Sequence, residues 1–319
     1  MMVESVLARI RQRFEQAERI LITSHIRPDG DAVSSVLALG LALQEKGKQV
    51  VMALTDGVPS ALRYLAGYDQ IVNKPDGNFD LIVVVDCGSL DRVGSIMNSY
   101  DRVDINIDHH SSNLNFGEIN LVNIEAVSVT EILALHFPAL GLPLTQPVAE
   151  ALLTGILTDS QGFKIPSTRP GTLRIAADLY DAGVDLPKLY FNTLSRKSFE
   201  AAKYWGAGLS RLQQDGHIVW TNLSCADRMA VEYPGRDDAD LVNILSAIGG
   251  SDVAVIFIEQ DSDNVKVSWR TRSDWDVSKV AQQFGGGGHI AAAGAMIRGG
   301  LQEVEEKVIQ ATKTAFKNS

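Results

Sequence analysis

Cysteine is almost missing from this chain: 2 of 319 residues, Cys87 and Cys225. Two cysteines cannot build a disulfide framework, which fits a reducing compartment. Each sits in or beside an apolar run, so each is expected as a free buried thiol. Long apolar runs are missing too. Nothing approaches the roughly 18 consecutive apolar residues of a membrane-crossing helix, and the expectation is a cytoplasmic protein with no membrane partner. Met1 to Glu18 carries charges throughout, with Val3, Leu7, Ile10 and Phe14 at helical spacing. That is an amphipathic helix, not a signal peptide. An excess of basic charge is also lacking. The net charge of −10 argues against an electrostatic footprint on duplex DNA. A small phosphorylated substrate stays open, since two divalent cations would cancel much of the local negative charge. No internal repeat and no low-complexity tract occurs. What is present is a 45% hydrophobic content, enough for full cores, over a length that predicts two domains.

The chain is organised around Ile20–Ala32, I-L-I-T-S-H-I-R-P-D-G-D-A. Ile20 to Thr23 reads as a buried strand, ended by Pro28 and Gly30. The loop presents His25, Asp29 and Asp31, and a helical pattern runs from Ala32 to Glu45. Three potential metal ligands thus sit at the carboxyl end of a strand, where open α/β sheets place their sites. The plainer alternative is a polar turn with an Asx cap, for which Asp31 is the candidate.

The same arrangement recurs. Gln49–Leu54 reads as a strand, Pro59–Ala66 as a short helix and Gly67–Val72 as an edge segment. The continuous run Asp80-Leu-Ile-Val-Val-Val-Asp86 has the composition of a parallel strand covered on both faces, ending in a carboxylate. Val103–Asp108 is a third buried strand, delivering Asp108-His109-His110 into a loop. Helices follow at Ala126–Leu140 and Pro147–Thr158, the second ending at Asp159. Strands alternating with helices predict an α/β fold with a doubly wound parallel sheet. Helical patterns then run over Pro170–Gly183, Leu186–Leu194 and Ser198–Leu212, the last read as a bridge between domains. Beyond it, strands at His217–Leu223, Val253–Glu259 and Val265–Thr271 and helices at Asp237–Ile248, Val277–Phe284 and Leu301–Phe316 describe a smaller mixed α+β domain. The expected division is 1–187, a helical linker 188–212 and 213–319.

Each polar residue has an ordinary reading. Asp caps helices and starts turns, and lone histidines such as His136 and His217 are core or surface residues. Convergence changes the weighing. Separate strand ends of one sheet deliver His25, Asp29, Asp31, Asp86, His109, His110 and Asp159 to one edge. Even six of these as ligands exceed one closed zinc site, which takes about four, and suit two cations sharing a carboxylate. Four Asp and two divalent cations leave that site roughly neutral. An Asp/His shell without thiolate favours Mn²⁺, with Mg²⁺ or Co²⁺ as alternatives.

The motifs His25-Ile-Arg-Pro-Asp29-Gly-Asp31, Val84-Val-Asp86-Cys, Asp108-His109-His110 and Gly155-Ile-Leu-Thr-Asp159 resemble those of DHH-family phosphoesterases. Gly285-Gly-Gly-Gly-His289-Ile-Ala-Ala-Ala-Gly294 resembles the DHH-associated domain of that family. Carried over position by position, the resemblance implies His25, Asp29 and Asp86 on one metal. It implies Asp31, Asp86, His109 and Asp159 on the other, with Asp86 bridging and contributing to catalysis. His110 would face the phosphate as donor or general acid, and Asp108 would fix an imidazole from behind.

The Gly-rich segment makes physical sense as a phosphate clamp. Gly286, Gly287 and Gly288 let backbone N–H groups approach an anion, and His289 is expected at the start of a small-residue helix. Arg270 and Arg272 could fork onto phosphate, and the neighbouring Trp269 and Trp275 could stack on a base. Length and domain content resemble the NrnA-like group. This implies hydrolysis of short oligoribonucleotides, two- to five-mers gripped in a short cleft, or of 3′-phosphoadenosine 5′-phosphate (pAp). A homodimer is compatible with the resemblance. Alternatives are a linear or cyclic di-adenylate phosphodiesterase, an inorganic pyrophosphatase or exopolyphosphatase, and, in a different class, a non-catalytic nucleotide-binding scaffold.

Overall fold

The computed structural model describes residues 2–316, which divide into two compact units on either side of Arg196 and Lys197. The division falls inside the segment expected as a linker.

The first unit begins with amphipathic α1 (Met2–Gln16), which buries Leu7, Ile10 and Phe14. There follow β1 (Arg19–Thr23), α2 (Gly30–Glu45), β2 (Gln49–Ala53), β3 (Leu81–Val85), β4 (Ile105–Asp108) and β5 (Ile119–Val122). Helices α3 (Val129–Leu140), α4 (Gln146–Asp159), α5 (Pro170–Asp181) and α6 (Leu186–Tyr190) complete it. The sheet is parallel throughout, in the order β2-β1-β3-β4-β5. Strand order therefore reverses between β1 and β3. Adjacent loops diverge at such a switch point and leave a crevice at the strand carboxyl ends.

Both faces of the sheet are covered, as the apolar run in β3 requires. Leu81, Val83 and Val85 join the core under the helices. Ile82 and Val84 face the other way, onto Val93, Ile96 and Met97 of the 3₁₀ segment Leu90–Ser99. That second cover is not α-helical, because Gly94, at φ +79°, breaks the segment. Strand β5 had no sequence expectation; its burial alternates over only four residues, too short a signal to read. Pro59–Ala66 forms only a 3₁₀ turn at Ser60–Leu62, and the expected edge segment is a single bridge, Ala53 to Val72.

The second unit contains α7 (Phe199–Leu209), β6 (Gln213–Asp215), β7 (Ile218–Leu223), α8 (Cys225–Ala230), α9 (Leu241–Leu245), β8 (Val253–Asp261) and β9 (Asn264–Thr271). It closes with α10 (Ser278–Gln283), β10 (Gly287–His289), β11 (Ala292–Arg298) and α11 (Leu301–Phe316). Its mixed sheet runs β10-β11-β9-β8-β7-β6. Here the structure corrects the sequence reading. His289 does not start a helix; it ends β10, and Ala292–Arg298 pairs antiparallel with both β10 and β9. The reason is period two: Ala293, Ala295 and Ile297 are buried and their neighbours are not. The expected helix Asp237–Ile248 shortens to α9, because Ala239 and Asp240 hold left-handed φ values of +51° and +69°. Cys225 is only half-buried, unlike Cys87. Among the described residues no helix is long and apolar enough to cross a membrane.

Candidate metal centre

Four chain segments deliver the site of the first unit. His25 follows β1 and Asp86 follows β3, on either side of the switch point. His109 follows β4, and Asp159 is the last residue of α4. Asp86 leaves β3 at φ +52°. That left-handed turn costs a residue with a Cβ roughly 1–2 kcal/mol and throws the carboxylate into the crevice.

The capping expectation resolves differently from the sequence reading. Asp29, not Asp31, caps α2: its Oδ1 accepts from the Ala32 N–H at 3.1 Å, which leaves Oδ2 facing His25. Asp31 is fully buried. Its Oδ2 accepts from the Val129 N–H at 2.6 Å, and its Oδ1 from the Thr130 N–H at 3.0 Å and the Thr130 hydroxyl at 2.7 Å. The first turn of α3 thus holds this carboxylate. Gly155 on α4 lets it fit, since a Cβ there would stand 2.6 Å from Asp31 Oδ1.

The ring nitrogens are assigned by their partners. His25 Nδ1 donates to the Ile26 carbonyl at 2.8 Å, and His109 Nδ1 to the Ala126 carbonyl at 3.3 Å. Each Nε2 is left with a free lone pair. His25 Nε2 lies 3.6 Å from Asp86 Oδ2 and 3.9 Å from Asp29 Oδ2. His109 Nε2 lies 3.7 Å from Asp86 Oδ1 and 3.4 Å from Asp159 Oδ2. His110 differs: its Nδ1 donates to Asp108 Oδ1 at 2.7 Å. The nitrogen nearest Asp86, at 3.7 Å, is therefore already committed.

His25, Asp29 and Asp86 form one ligand cluster, Asp31, His109 and Asp159 a second, and Asp86, His109 and His110 a third that shares a residue with each; within each, the ligand atoms lie within 4.8 Å of one another. These groups could hold metal ions. Among the described residues, no Lys or Arg pairs with any of the four carboxylates, and buried Asp86 Oδ1 has no hydrogen-bond partner. Carboxylates gathered this way in a buried crevice call for cations. Sequence reasoning missed Thr130, the Ala126 carbonyl and two asparagines, Asn106 and Asn113. Asn106 had a readable signal, a polar residue inside the apolar strand Ile105-Asn106-Ile107. Cys87 is no nucleophile, since burial pushes its thiol up to about 11.

Proton affinities record the same crowding. Burial, then Asp86, drives the Asp31 carboxyl well above the usual range. Burial, then Asp31, Asp86 and Asp29, does the same to Asp159. Burial pulls His25 down, but the Asp86 carboxylate 3.6 Å from its Nε2 and the Ile26 carbonyl outweigh it and the net shift is upward. The Asp108 hydrogen bond raises His110 against its burial. All four groups hold protons more tightly folded than unfolded. The stability they give is present at low pH and is lost as pH rises through their folded values. Metal-free protein should therefore lose thermal stability as pH climbs from about 5 through the imidazole range near 6.5. Added Mn²⁺ should raise Tm most at the alkaline end. Calorimetry of chelator-treated protein between about pH 5 and 8 checks this, and a metal-free Tm that climbs with pH would contradict it.

The second unit brings some of its candidates together and not others. His289 pairs with Ala292, and Ala292 with Arg270, so His289 and Arg270 stand in one cross-strand row on one face. Arg270 is half-buried, and its Nη1 donates to the Trp269 carbonyl at 3.0 Å. Trp269 points to the opposite face, where it is fully buried with its Nε1 on Thr312. It cannot stack on a base. Trp275 is stacked on Phe316, ring centroids 4.3 Å apart. Arg272 and His289 are exposed. The glycines divide. A Cβ on Gly286 would lie 2.2 Å from the Gly294 carbonyl oxygen, and one on Gly288 2.4 Å from that of Ala292. Those two are required by the hairpin, whereas Gly287 has open space.

Comparisons with known proteins agree with this geometry. The sequence pattern described as DHH family, N-terminal domain, matches residues 19–156, and that of the DHHA1 domain matches 231–318. The chain is 33% identical over 303 residues to the bifunctional oligoribonuclease and PAP phosphatase NrnA of Thermus thermophilus, covering 92% of this chain and 89% of the relative. It is 27% identical to the Bacillus subtilis protein of the same name, covering 88% and 90%. In structure it resembles an exopolyphosphatase-related protein from Bacteroides fragilis, with a TM-score of 0.87 at 24% identity over 98% of this chain and 96% of that one. It also resembles RecJ from Thermus thermophilus in complex with Mn²⁺, with a TM-score of 0.53 at 14% identity over 98% of this chain and 54% of that one.

Proposed function

The chain belongs to the DHH family, and from that premise we propose that it is a metal-dependent phosphoesterase that hydrolyses short oligoribonucleotides and pAp to nucleoside monophosphates. The observation that carries the reading is the set of overlapping ligand clusters that joins His25, Asp29, Asp31, Asp86, His109 and Asp159, with one buried oxygen of Asp86 unpartnered. Substrate class follows from the relatives, which are named for oligoribonuclease and pAp phosphatase activity. His25, Asp29 and Asp86 would hold one divalent cation, and Asp31, His109 and Asp159 the other, with Asp86 shared. Mn²⁺ suits the mixed donor set. When bound, such ions neutralise phosphoryl oxygens and lower the pKa of water. The protein's own part is orientation and proton transfer. The α3 N-terminus and the Ile26 and Ala126 carbonyls orient the ligands, while Asp108 holds His110 Nδ1–H and leaves Nε2 to serve a substrate oxygen.

A time course of products from pAp, two- to five-mer RNA, linear and cyclic di-adenylate and pyrophosphate tests the reading. RNA and pAp should be the fast substrates. Preference for pyrophosphate or cyclic di-adenylate would establish an alternative activity, and no turnover of any would favour a binding scaffold.

The second unit supplies substrate grip in this reading, through Arg270, Arg272, the Gly286–Gly288 backbone and His289. Arg270 is the sharpest test, because it is half-buried, in one cross-strand row with His289, and Asp238 and Asp240 lie near its charge. A charge-assisted hydrogen bond is worth roughly 1.5–3 kcal/mol, so Arg270→Ala should raise KM for a 5′-phosphorylated dinucleotide about ten- to a hundredfold. Bis-p-nitrophenyl phosphate, which lacks the terminal phosphate, should be far less affected. Equal damage to both substrates would assign Arg270 to the fold instead.

A further inference from the structure

Two amides beside the metal centre have no role in the mechanism above, yet they touch both halves of it. Asn106 lies on β4 and is fully buried. Its Nδ2 donates to the carbonyls of Val84 at 3.3 Å and Cys87 at 3.2 Å. Asn113, half-buried in the loop after His110, reaches the same Cys87 carbonyl with its Nδ2 at 3.3 Å. That Nδ2 also meets Asn106 Oδ1 at 2.8 Å and Asp108 Oδ2 at 2.5 Å. Asn113 Oδ1 is itself fixed by the Asn115 N–H at 2.6 Å.

The carbonyl that both amides grip belongs to the residue after Asp86, the one with the left-handed φ of +52°. On the other side of that turn the Asp86 N–H is tied to the Ile107 carbonyl at 2.9 Å. The chain is thus pinned before and after an unfavourable backbone conformation, and that conformation aims the shared carboxylate. The same Asn113 Nδ2 holds the Asp108 oxygen that does not bind His110.

We propose that Asn106 and Asn113 act as one positioning unit that sets the Asp86 carboxylate and the His110 imidazole together, through the Cys87 carbonyl and Asp108. The proposal rests on the metal-centre reading above. Amides suit the task because they donate hydrogen bonds without adding charge beside four carboxylates. The two residues divide the work: Asn106 holds the Cys87 side directly and touches Asp108 only by way of Asn113, whereas Asn113 bonds to both.

The test is calorimetric titration of Mn²⁺ into chelator-treated protein, alongside kcat at saturating Mn²⁺, for wild type, Asn106→Ser, Asn113→Ala and Asn113→Asp. Losing a partner behind a metal ligand typically costs about 10–100-fold in metal affinity or activity. All three variants should bind Mn²⁺ more weakly by that order, with the Tm of metal-free Asn113→Ala near wild type. At saturating Mn²⁺, Asn106→Ser should recover most of its kcat. Asn113→Ala should not, because His110 has lost its brace. Asn113→Asp keeps the volume but not the donor and should behave like the alanine variant. Wild-type Mn²⁺ affinity in Asn113→Ala would overturn the proposal alone. A wild-type protein that takes up no Mn²⁺ would overturn the metal-centre reading and the proposal with it.

Discussion

Replacing His110 by alanine should lower kcat roughly 10²–10⁴-fold, the contribution of a positioned general acid, while the protein still takes up both metal ions. His25 and His109 spend Nδ1 on backbone carbonyls and present Nε2 to carboxylates; His110 spends Nδ1 on Asp108 and presents Nε2 elsewhere. Of these three, His110 alone carries a side-chain carboxylate behind the ring, and that hydrogen bond raises its proton affinity. It is therefore the histidine suited to delivering a proton to a leaving oxygen. His109→Ala should instead lose one metal, because Asp31 and Asp159 then lack their third partner. Metal analysis of both purified variants, with kcat at saturating Mn²⁺, separates the roles. The reverse pattern would mean that they are exchanged.

Stripping the protein with excess EDTA should abolish turnover of every substrate, and Mn²⁺ should restore it. Four carboxylates with no Lys or Arg partner cannot hold a phosphate by themselves, since their charge repels it. Asp86→Asn should be nearly as severe and should not be rescued by Mn²⁺ at concentrations that saturate wild type, because Asp86 belongs both to the cluster with His25 and Asp29 and to the one with His109 and His110. Turnover by protein shown to be metal-free would refute the mechanism, as would a fully active Asp86→Asn variant.

Much of the first unit could be read from sequence because its signals are local. A buried parallel strand needs a continuous apolar run, which Leu81–Val85 and Ile20–Thr23 supply, and polar residues at the end of such a run fall at one sheet edge. The second unit was harder. By composition Gly285–Gly294 reads as a loop entering a helix, since Ala favours helix and Gly excludes nothing. The alternate burial of Ala293, Ala295 and Ile297 decides for a strand, and an alternation between Ala and Gly carries almost no contrast in hydrophobicity. Trp269 beside Arg270 suggested a shared binding surface, but neighbours on a strand point to opposite faces, so the tryptophan went into the core.

Which residues are available as ligands, which strands carry them and which parallel sheet gathers them can be read along the chain, because chemistry and period are written residue by residue. Tertiary structure alone decided how they are used. It decided that Asp29 rather than Asp31 caps α2, that the first turn of α3 holds Asp31, that Gly155 clears space for it, and that Asn113 joins Asp108 to the Asp86 turn. Those contacts join residues up to 99 positions apart in the chain. No local pattern encodes them, because each depends on how strands and helices distant in sequence come to pack.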